Sequence, residues 1–414
     1  MATVLFVHNN FPAQFRHLAQ SLVARGVRCG AFAQSQATEN VPGIPAIKYA
    51  LQRGTTLGIL PLAVRAEADL LRASHVLRAA QRAQSQGFDP DLIIGHTGWG
   101  ETTLLKEVWP DARQILYPEF FYASHGLDVG FDTEFKAYTE EARLLAKAKN
   151  AVATLSLTDA DALVCPTPFQ ASTFPKVFRQ HIRIIHEGID LAAIRPGPAE
   201  PFALDDGRVI APGAPVITHV NNNMEPLRGL HIFARALPRL LAEVPDAQVL
   251  LIGRTGGHGY SGAAPPGRSW TDVCFEGVEI DSTRVHFLGR VPHERMLAAL
   301  RLSTAHVYYY YPFVLSWSLA EAMATGCYVI GSDTAPLRDA IEDGVNGRLL
   351  PFFDVAALSE AMIAACRDPQ AQAPIRAAAR ATAERLFDRR TGLAGWLDLI
   401  GELGIEIPEA PAPT

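Results

Sequence analysis

The chain has 414 residues, 48% hydrophobic and 19% charged, with a formal net charge of −6. Single cores stop growing near ~250–300 residues, so this length predicts two domains. The acidic balance, with no basic stretch interleaved with aromatics, argues against a nucleic-acid partner.

The five cysteines, Cys29, Cys165, Cys274, Cys327 and Cys366, are dispersed and form no C-x-x-C pair. That pattern predicts reduced thiols in a cytoplasmic protein. The opening MATVLFVHNNFPAQF reads as a first strand, not a signal peptide. No window reaches ~18 apolar residues, which argues against a membrane span but leaves surface docking open.

TVLFV at 3–7 predicts a strand, and Phe15, Leu18, Ala19, Leu22 and Val23 then follow helical spacing up to Gly26. Strands are expected next at 27–33 (VRCGAFA), 91–97 (DLIIGHT), 113–119 (RQILYPE), 162–167 (ALVCPT) and 182–188 (IRIIHEG), with helices between, notably over 133–149. Residues 195–215, rich in Pro, Gly and Ala, read as a domain linker. Strands resume at 215–220, 248–253, 284–289, 305–311 and 327–333, and a helix carries Leu230, Phe233, Ala234, Leu237, Leu241 and Val244. The stretch from 354 to about 403 reads as helical, and the tail EIPEAPAPT as disordered.

Strands alternating with helices predict α/β structure: two Rossmann-like domains facing a cleft. The expected domains are 1–195 and 196–388, with a C-terminal helix in 389–414 packing back toward the first. Ligands of open α/β sheets sit beyond the carboxyl ends of strands, so the loops after strands carry the candidates.

Residues 306–326 read HVYYYYPFVLSWSLAEAMATG, with one acid, Glu321, in an apolar helix start. Ser318 and Glu321 have the S-x-x-E form of a capping box. Such a helix start also suits a diphosphate, and its carboxylate suits ribose hydroxyls. In NNNMEPLRGL (221–230), Arg228 at a helix start is either a solvated cation or the partner of a bound anion. The polar run Asn221, Asn222, Asn223 favours a ligand loop.

In HNNFPAQFRH (8–17), Asn9, Asn10 and Gln14 suit a polyol or plain turn chemistry, and the dinucleotide fingerprint is absent. GHTGWGE (95–101) offers His96 and Glu101 beside glycines that permit close backbone approach. Glu119 in YPEFFY is either a desolvated functional acid or a paired core acid. The Gly-rich IGRTGGHGYSG (252–262) suits a phosphate or sugar but is no Walker loop. The thirteen histidines make no H-x-x-x-H or H-E-x-x-H, so no metal is expected. No G-x-S-x-G elbow suggests a hydrolase.

Taken together, the chain resembles the family-4 retaining glycosyltransferases of GT-B architecture. NNFPAQFRHLAQSLVARG is similar to the family's first loop and helix, and IIHEGID with Arg195-Pro196 to the end of its first domain. MEPLRGLHIFARAL is similar to its "PEKG" loop and helix, and RVHFLGRVPHERMLAAL to its "FLG" stretch. LAEAMATGCYVIGSDTAPLRDAIEDGVNGRLL resembles its long "LEAMA.G.PVV" block.

The resemblance implies sugar transfer from a nucleotide-sugar donor to a glycan, lipid-linked or other hydroxyl acceptor, without a cofactor or metal, in polysaccharide or glycoconjugate biosynthesis. It implies donor binding in the second domain and acceptor binding in the first, through Asn9, Asn10 and Gln14. Glu321 stands where the second acid of the family's E-x7-E motif binds ribose. Arg228 matches a basic residue that neutralises the diphosphate.

Three positions depart from the pattern. Phe313 replaces the first acid, leaving the sugar to groups such as the backbone N–H of Leu315, Ser316 and Trp317 beside Ser318. Asn222 stands where an arginine faces the phosphates, for which Arg254 or Arg290 would compensate. Glu119 replaces a first-domain histidine near the reacting sugar. These departures keep two rival readings open, a non-hydrolysing nucleotide-sugar epimerase and a relative that binds nucleotide or glycan without turnover. Residues 65–82, carrying Arg65, Arg72, Arg78 and Arg82, form an amphipathic face that could meet anionic lipid, diluted by Glu67 and Asp69.

Overall fold

The computed structural model describes residues 2–256 and 259–410. Gly257 and His258 of the Gly-rich loop, and the last four residues of the tail expected to be disordered, lie outside the described residues. The chain divides into two compact units, Met1–Gly188 with Arg389–Thr414, and Ile189–Asp388.

The first unit contains a seven-stranded parallel sheet. Its strands are β1 (Thr3–Val7), β2 (Arg28–Gln34), β3 (Ala46–Tyr49), β4 (Leu92–His96), β5 (Arg113–Tyr117), β6 (Ala162–Cys165) and β7 (Ile182–Ile184), in the order β3-β2-β1-β4-β5-β6-β7. β1 is buried along its whole length, as a strand covered on both faces must be. Its alternate residues feed two cores. Val4 and Phe6 join Phe11, Phe15 and Leu22, whereas Leu5 and Val7 join Val76, Ala80 and Trp109.

The helix Arg389–Glu402 supplies Trp396, Leu399 and Ile400 to the first of these cores. Gly392 lets that helix approach closely, because a Cβ there would lie 2.1 Å from the His186 carbonyl oxygen. The described part of the tail is fastened, contrary to expectation: Ile407 packs on the same core, and Arg25 donates to the Pro408 carbonyl.

The second unit opens with a short antiparallel hairpin, β8 (Phe202–Ala203) and β9 (Val209–Ile210), inside the stretch read as a linker. A six-stranded parallel sheet follows: β10 (Val216–Asn223), β11 (Gln248–Arg254), β12 (Val285–Gly289), β13 (Ala305–Tyr308), β14 (Val329–Ser332) and β15 (Arg348–Leu350), ordered β12-β11-β10-β13-β14-β15. The units divide after Gly188, not after 195. Backbone explains this: Ile189 N–H donates to the Phe387 carbonyl, and Arg380 binds the carbonyls of Leu191 and Ile194.

Both sheets follow the doubly wound pattern, in which the first strand has the second on one side and the fourth on the other. The strand order reverses between β1 and β4 in the first unit and between β10 and β13 in the second. Ligands of such sheets bind beyond the carboxyl ends of the strands at the reversal.

Two local expectations are corrected, and two edge strands went unread. Residues 133–139 are not helical; the helix runs Glu140–Ala148, started by Thr139, whose hydroxyl accepts from Ala142 N–H. The strand expected over 305–311 stops at Tyr308. The edge strands β3 and β15 are short, four and three residues, and carried no clear alternation.

Candidate functional site

In the second unit, β10 delivers Asn221 and Asn223 to the reversal point, and the turn Pro226–Arg228 follows. Gly229 closes that turn with φ of 68°, and a Cβ there would lie 2.3 Å from Tyr309 Cβ. Only glycine meets both demands.

The turn buries Arg228, so the solvated reading of this cation does not hold. Its Nε lies 3.2 Å from Glu225 Oε1, with both side chains at most 4% exposed, and its Nη1 lies 3.4 Å from Asn221 Oδ1. Asn221 Nδ2 in turn donates to His219 Nε2, and His219 Nδ1–H donates to the Val307 carbonyl. Burial holds the His219 imidazole at about 4, so it stays neutral in this network. The guanidinium also lies 4.9 Å from the centre of the Tyr310 ring, a cation–π distance. Glu225 Oε2 accepts from Ser261 N–H at 2.8 Å and thereby ties down the Gly-rich loop. A pocket of about 280 Å³ opens here, lined by Asn223, Glu225, Arg254, Gly259, Arg268 and Trp270 among others.

The segment after β13 carries the other half of the site. Tyr308 OH accepts from Ser316 N–H at 2.9 Å and lies 3.0 Å from Ser316 Oγ, which lies 2.6 Å from Ser318 Oγ. The Ser316 N–H is thus already committed, which corrects its reading as a donor held ready for the sugar. Leu315 and Ser318 are half-buried there, and Trp317 is exposed.

The helix Trp317–Ala324 has Ser316 at its N-cap with no side-chain cap. Glu321 therefore closes no capping box. Its Oε1 instead lies 2.7 Å from His293 Nε2. Phe313 is buried, its ring 4.8 Å from that of Tyr260. Asn222 and Arg254 are exposed at the ends of β10 and β11, and Arg290 is exposed just past β12.

In the first unit, His8 follows β1 and His96 ends β4, so the two rings straddle the reversal point, 5.1 Å apart. Asn10 N–H donates to His8 Nδ1, and Gly98 N–H donates to His96 Nδ1, both at 2.9 Å. In the neutral ring this places the remaining hydrogen on Nε2. Both Nε2 atoms are buried, and among the described residues neither has a partner within hydrogen-bonding geometry, although Gln14 lies close enough to His8 to favour its charged form. Burial, and then the neighbouring His96, push the His8 pKa well below the usual histidine value.

Glu119 follows β5. It accepts from Gln14 Nε2 at 3.3 Å, and its Oε2 lies 3.7 Å from His96 Nε2. Trp99 stacks on His96 at 4.6 Å between ring centres. Asn9 is half-buried and Asn10 exposed beside this cluster. Two ring N–H donors, a carboxylate and an amide are groups that can hydrogen-bond hydroxyls, and an indole is one that can stack on a ring.

Glu101 does not join it. Its carboxylate is buried and accepts from Tyr49 OH at 2.5 Å, a core contact. Asp91 and Asp161, each the second acid of a D-x-D pair, precede β4 and β6 at the amino ends of the strands, opposite the site, and accept from the backbone N–H of Thr3 and Gln114.

Sequence reading missed His8, Trp99, Glu225, His293 and Tyr308. For His8 and Tyr308 the signal was position, at the ends of strands that flank a reversal. Arg65 and Arg72 of the amphipathic helix Val64–Ser85 pair with the buried Asp69. Arg78 and Arg82 are exposed on that helix. No helix among the described residues is long and apolar enough to cross a membrane.

A family model described as glycosyl transferase family 4 group matches residues 25–194, and one described as glycosyl transferases group 1 matches residues 214–368. The chain is 28% identical over 193 residues to a phosphatidyl-myo-inositol mannosyltransferase of Mycolicibacterium smegmatis, covering 46% of this chain and 44% of that one. It is 26% identical over 242 residues to a D-inositol 3-phosphate glycosyltransferase of Saccharomonospora viridis, covering 57% and 54%. The chain thus spans about half the length of these curated relatives.

Two solved structures share the fold over nearly the whole chain. Sucrose-phosphate synthase from Thermosynechococcus elongatus aligns with a TM-score of 0.72 at 19% identity, covering 98% of this chain and 99% of that one. HepE of Anabaena, in complex with UDP-glucose, aligns with a TM-score of 0.67 at 16% identity, covering 97% and 100%.

Proposed function

We propose that this chain, which belongs to the family-4 glycosyltransferases of GT-B architecture, moves a sugar from a nucleotide-sugar donor to a hydroxyl acceptor with retention at the anomeric carbon. The observation that carries this reading lies in the second unit. A buried cation, Arg228, and a carboxylate, Glu321, follow the two strands that flank its reversal point. A cation held there by Asn221 and Glu225 is preorganised for the departing diphosphate. Glu321 would take the ribose hydroxyls, and the start of its helix would face the phosphates.

The acceptor would bind in the first unit, with its hydroxyls between the Nε2–H groups of His8 and His96 and the Glu119 carboxylate. Asn9, Asn10 and Gln14 would complete that side. In a front-face displacement the bond from the anomeric carbon to the leaving phosphate breaks as the acceptor oxygen bonds on the same face. The leaving phosphate takes the acceptor's proton. Charge is then carried by Arg228 and backbone dipoles, so the reading requires no metal.

The names of the relatives make a lipid-linked or phosphorylated cyclitol the acceptor class to try first, beside the glycan acceptors of polysaccharide or glycoconjugate synthesis, with the reaction at the cytoplasmic side of a membrane. Because Asp69 holds Arg65 and Arg72, any contact with anionic lipid would rest on Arg78 and Arg82. Binding to anionic vesicles that persists in moderate salt would support that contact.

The test is thermal unfolding with UDP, GDP, ADP and dTDP at matched concentration. UDP comes first, since solved complexes of HepE hold UDP or UDP-glucose. A ligand at ~100 times its dissociation constant adds ~2.7 kcal/mol to the state that binds it. A shift with one nucleotide, abolished by Glu321→Ala in a folded variant, supports the donor site. No shift with any of the four sinks it.

One observation favours a second reading. Phe313, buried against Tyr260, offers the sugar no carboxylate. Tight nucleotide binding without transfer to any acceptor would place the chain among binders rather than catalysts.

A further inference from the structure

Glu321 is not a lone acid. His293 opens the helix His293–Leu302, and its Nε2 lies 2.7 Å from Glu321 Oε1. The carboxylate is mostly buried, with 14% of its side chain exposed, whereas the imidazole remains 54% exposed. A histidine at this place does nothing for its own helix, because a cation at a helix N-terminus is electrostatically disfavoured. The carboxylates of Glu321 and, on the same helix, Glu294 are the charged groups that act on the ring.

The helix that carries His293 is itself held from outside the sheet. Arg295 donates to the Ala203 carbonyl at 3.1 Å, pairs with Asp205 and lies over the Phe202 ring, so the β8–β9 hairpin fixes the first turn.

We propose that His293 is a positioning residue for nucleotide binding: its imidazole holds the Glu321 carboxylate in the orientation that receives the two ribose hydroxyls. This rests on the reading of Glu321 as the ribose-binding acid. Each carboxylate oxygen has two acceptor positions. Oε1 can therefore keep the imidazole N–H and accept one hydroxyl, while Oε2 accepts the other. Without the imidazole the terminal torsion of a glutamate is soft, and the ligand must order it on binding.

The hydrogen bond to Glu321 is the main reason the imidazole pKa is raised, with burial opposing and the two carboxylate charges adding. The charged pair is therefore complete while the ring is protonated and the carboxylate still ionised. It weakens as pH rises through that raised value, and nucleotide affinity falls with it.

Two measurements on the full chain test this. The first is calorimetric titration with UDP, GDP, ADP and dTDP, at about pH 6 and about pH 8, of the wild type, His293→Ala, His293→Gln and Glu321→Ala. The second is the NMR titration of the His293 ring in the wild type and in Glu321→Gln.

The amide of His293→Gln can still donate to Oε1, so its affinity for the preferred nucleotide should stay within about threefold of wild type at pH 8, whereas His293→Ala should lose roughly tenfold. The difference between wild type and His293→Gln should shrink as pH rises, since phosphate titration is common to both. The ring pKa should fall toward the ordinary value in Glu321→Gln.

Wild-type affinity in His293→Ala, with a ring pKa unmoved by Glu321→Gln, overturns the inference while Glu321→Ala still abolishes binding and the donor reading stands. Failure of the wild type to bind any of the four nucleotides overturns both.

Discussion

Arg228 and Glu225 form an ion pair 3.2 Å apart, with 4% and 1% of their side chains exposed. Taking two charges out of water is costly, and the pair persists because further bonds satisfy it: Asn221 on the arginine side and Ser261 N–H on the glutamate side. Removing one member leaves the other as an uncompensated buried charge. Glu225→Gln should therefore destabilise the second unit by ~3–5 kcal/mol and release the 259–262 segment, which chemical denaturation and limited proteolysis can read. A loss below ~1 kcal/mol would show that water reaches the site and screens the pair.

Tyr308→Phe removes one oxygen from a fully buried side chain. That oxygen accepts from Ser316 N–H. An orphaned donor at this half-buried turn should cost ~1–3 kcal/mol in thermal unfolding and loosen the residues before Glu321. Nucleotide affinity should fall with it. Unchanged stability and affinity would mean that another group takes over the Ser316 N–H.

Glu119→Gln keeps the size of the side chain and removes its charge. The Glu119 side chain is 24% exposed and, among the described residues, accepts from Gln14 and lies 3.7 Å from His96 Nε2, while the bond from Gln170 goes to its backbone carbonyl, so the fold should tolerate the change. Transfer should fall by roughly tenfold or more in kcat/KM if the carboxylate orients the acceptor hydroxyl. Activity at the wild-type level would remove Glu119 from the site.

The protein should lose stability in mild acid. Burial depresses the pKa of His219 to about 4 and of His306 to about 3, and lowers that of His8 as well. A depressed folded value means that the unfolded chain binds protons the folded chain refuses. The stability is complete above the ordinary histidine value of 6.5 and is lost as pH falls from there toward the folded values. Each such group contributes a slope of up to ~1.4 kcal/mol per pH unit. His293, with its raised value, works in the opposite direction. Denaturant midpoints measured from about pH 7 to about pH 5 should fall unless the buried carboxyls of Glu101, Asp69 and Asp128, raised by burial and so working in the opposite direction, offset them; a fall that persists undiminished in His219→Gln would mean that this ring reaches water.

Much of the fold could be read from the sequence. TVLFV, QVLLIG and their like are short apolar runs bounded by turn residues, and each became a parallel strand covered on both faces. The heptapeptide VRCGAFA placed β2 to within a residue at each end. The stretches that escaped were those whose own pattern is weak. AIKY exposes two of its four residues at the sheet edge, and β8 and β9 are two residues each within a run rich in Pro, Gly and Ala. Residues 133–139 have helical composition, but the helix begins only at Glu140, where Thr139 supplies a cap.

The candidate site divides along the same line. Sequence by itself determined the strand-end loops, and with them Arg228, Glu321, His96 and Glu119, because a loop after a strand is a local property. Tertiary structure alone decided what each of these touches. Glu321 met His293, 28 residues away in sequence, instead of capping its own helix. Gln14 met Glu119 across 105 residues, and Arg228 went inside because Glu225, Asn221 and the Tyr310 ring surround it. The physical reason is that charge pairing and burial depend on distance through space. In a doubly wound sheet the strands that flank the reversal, β1 with β4 and β10 with β13, lie far apart along the chain.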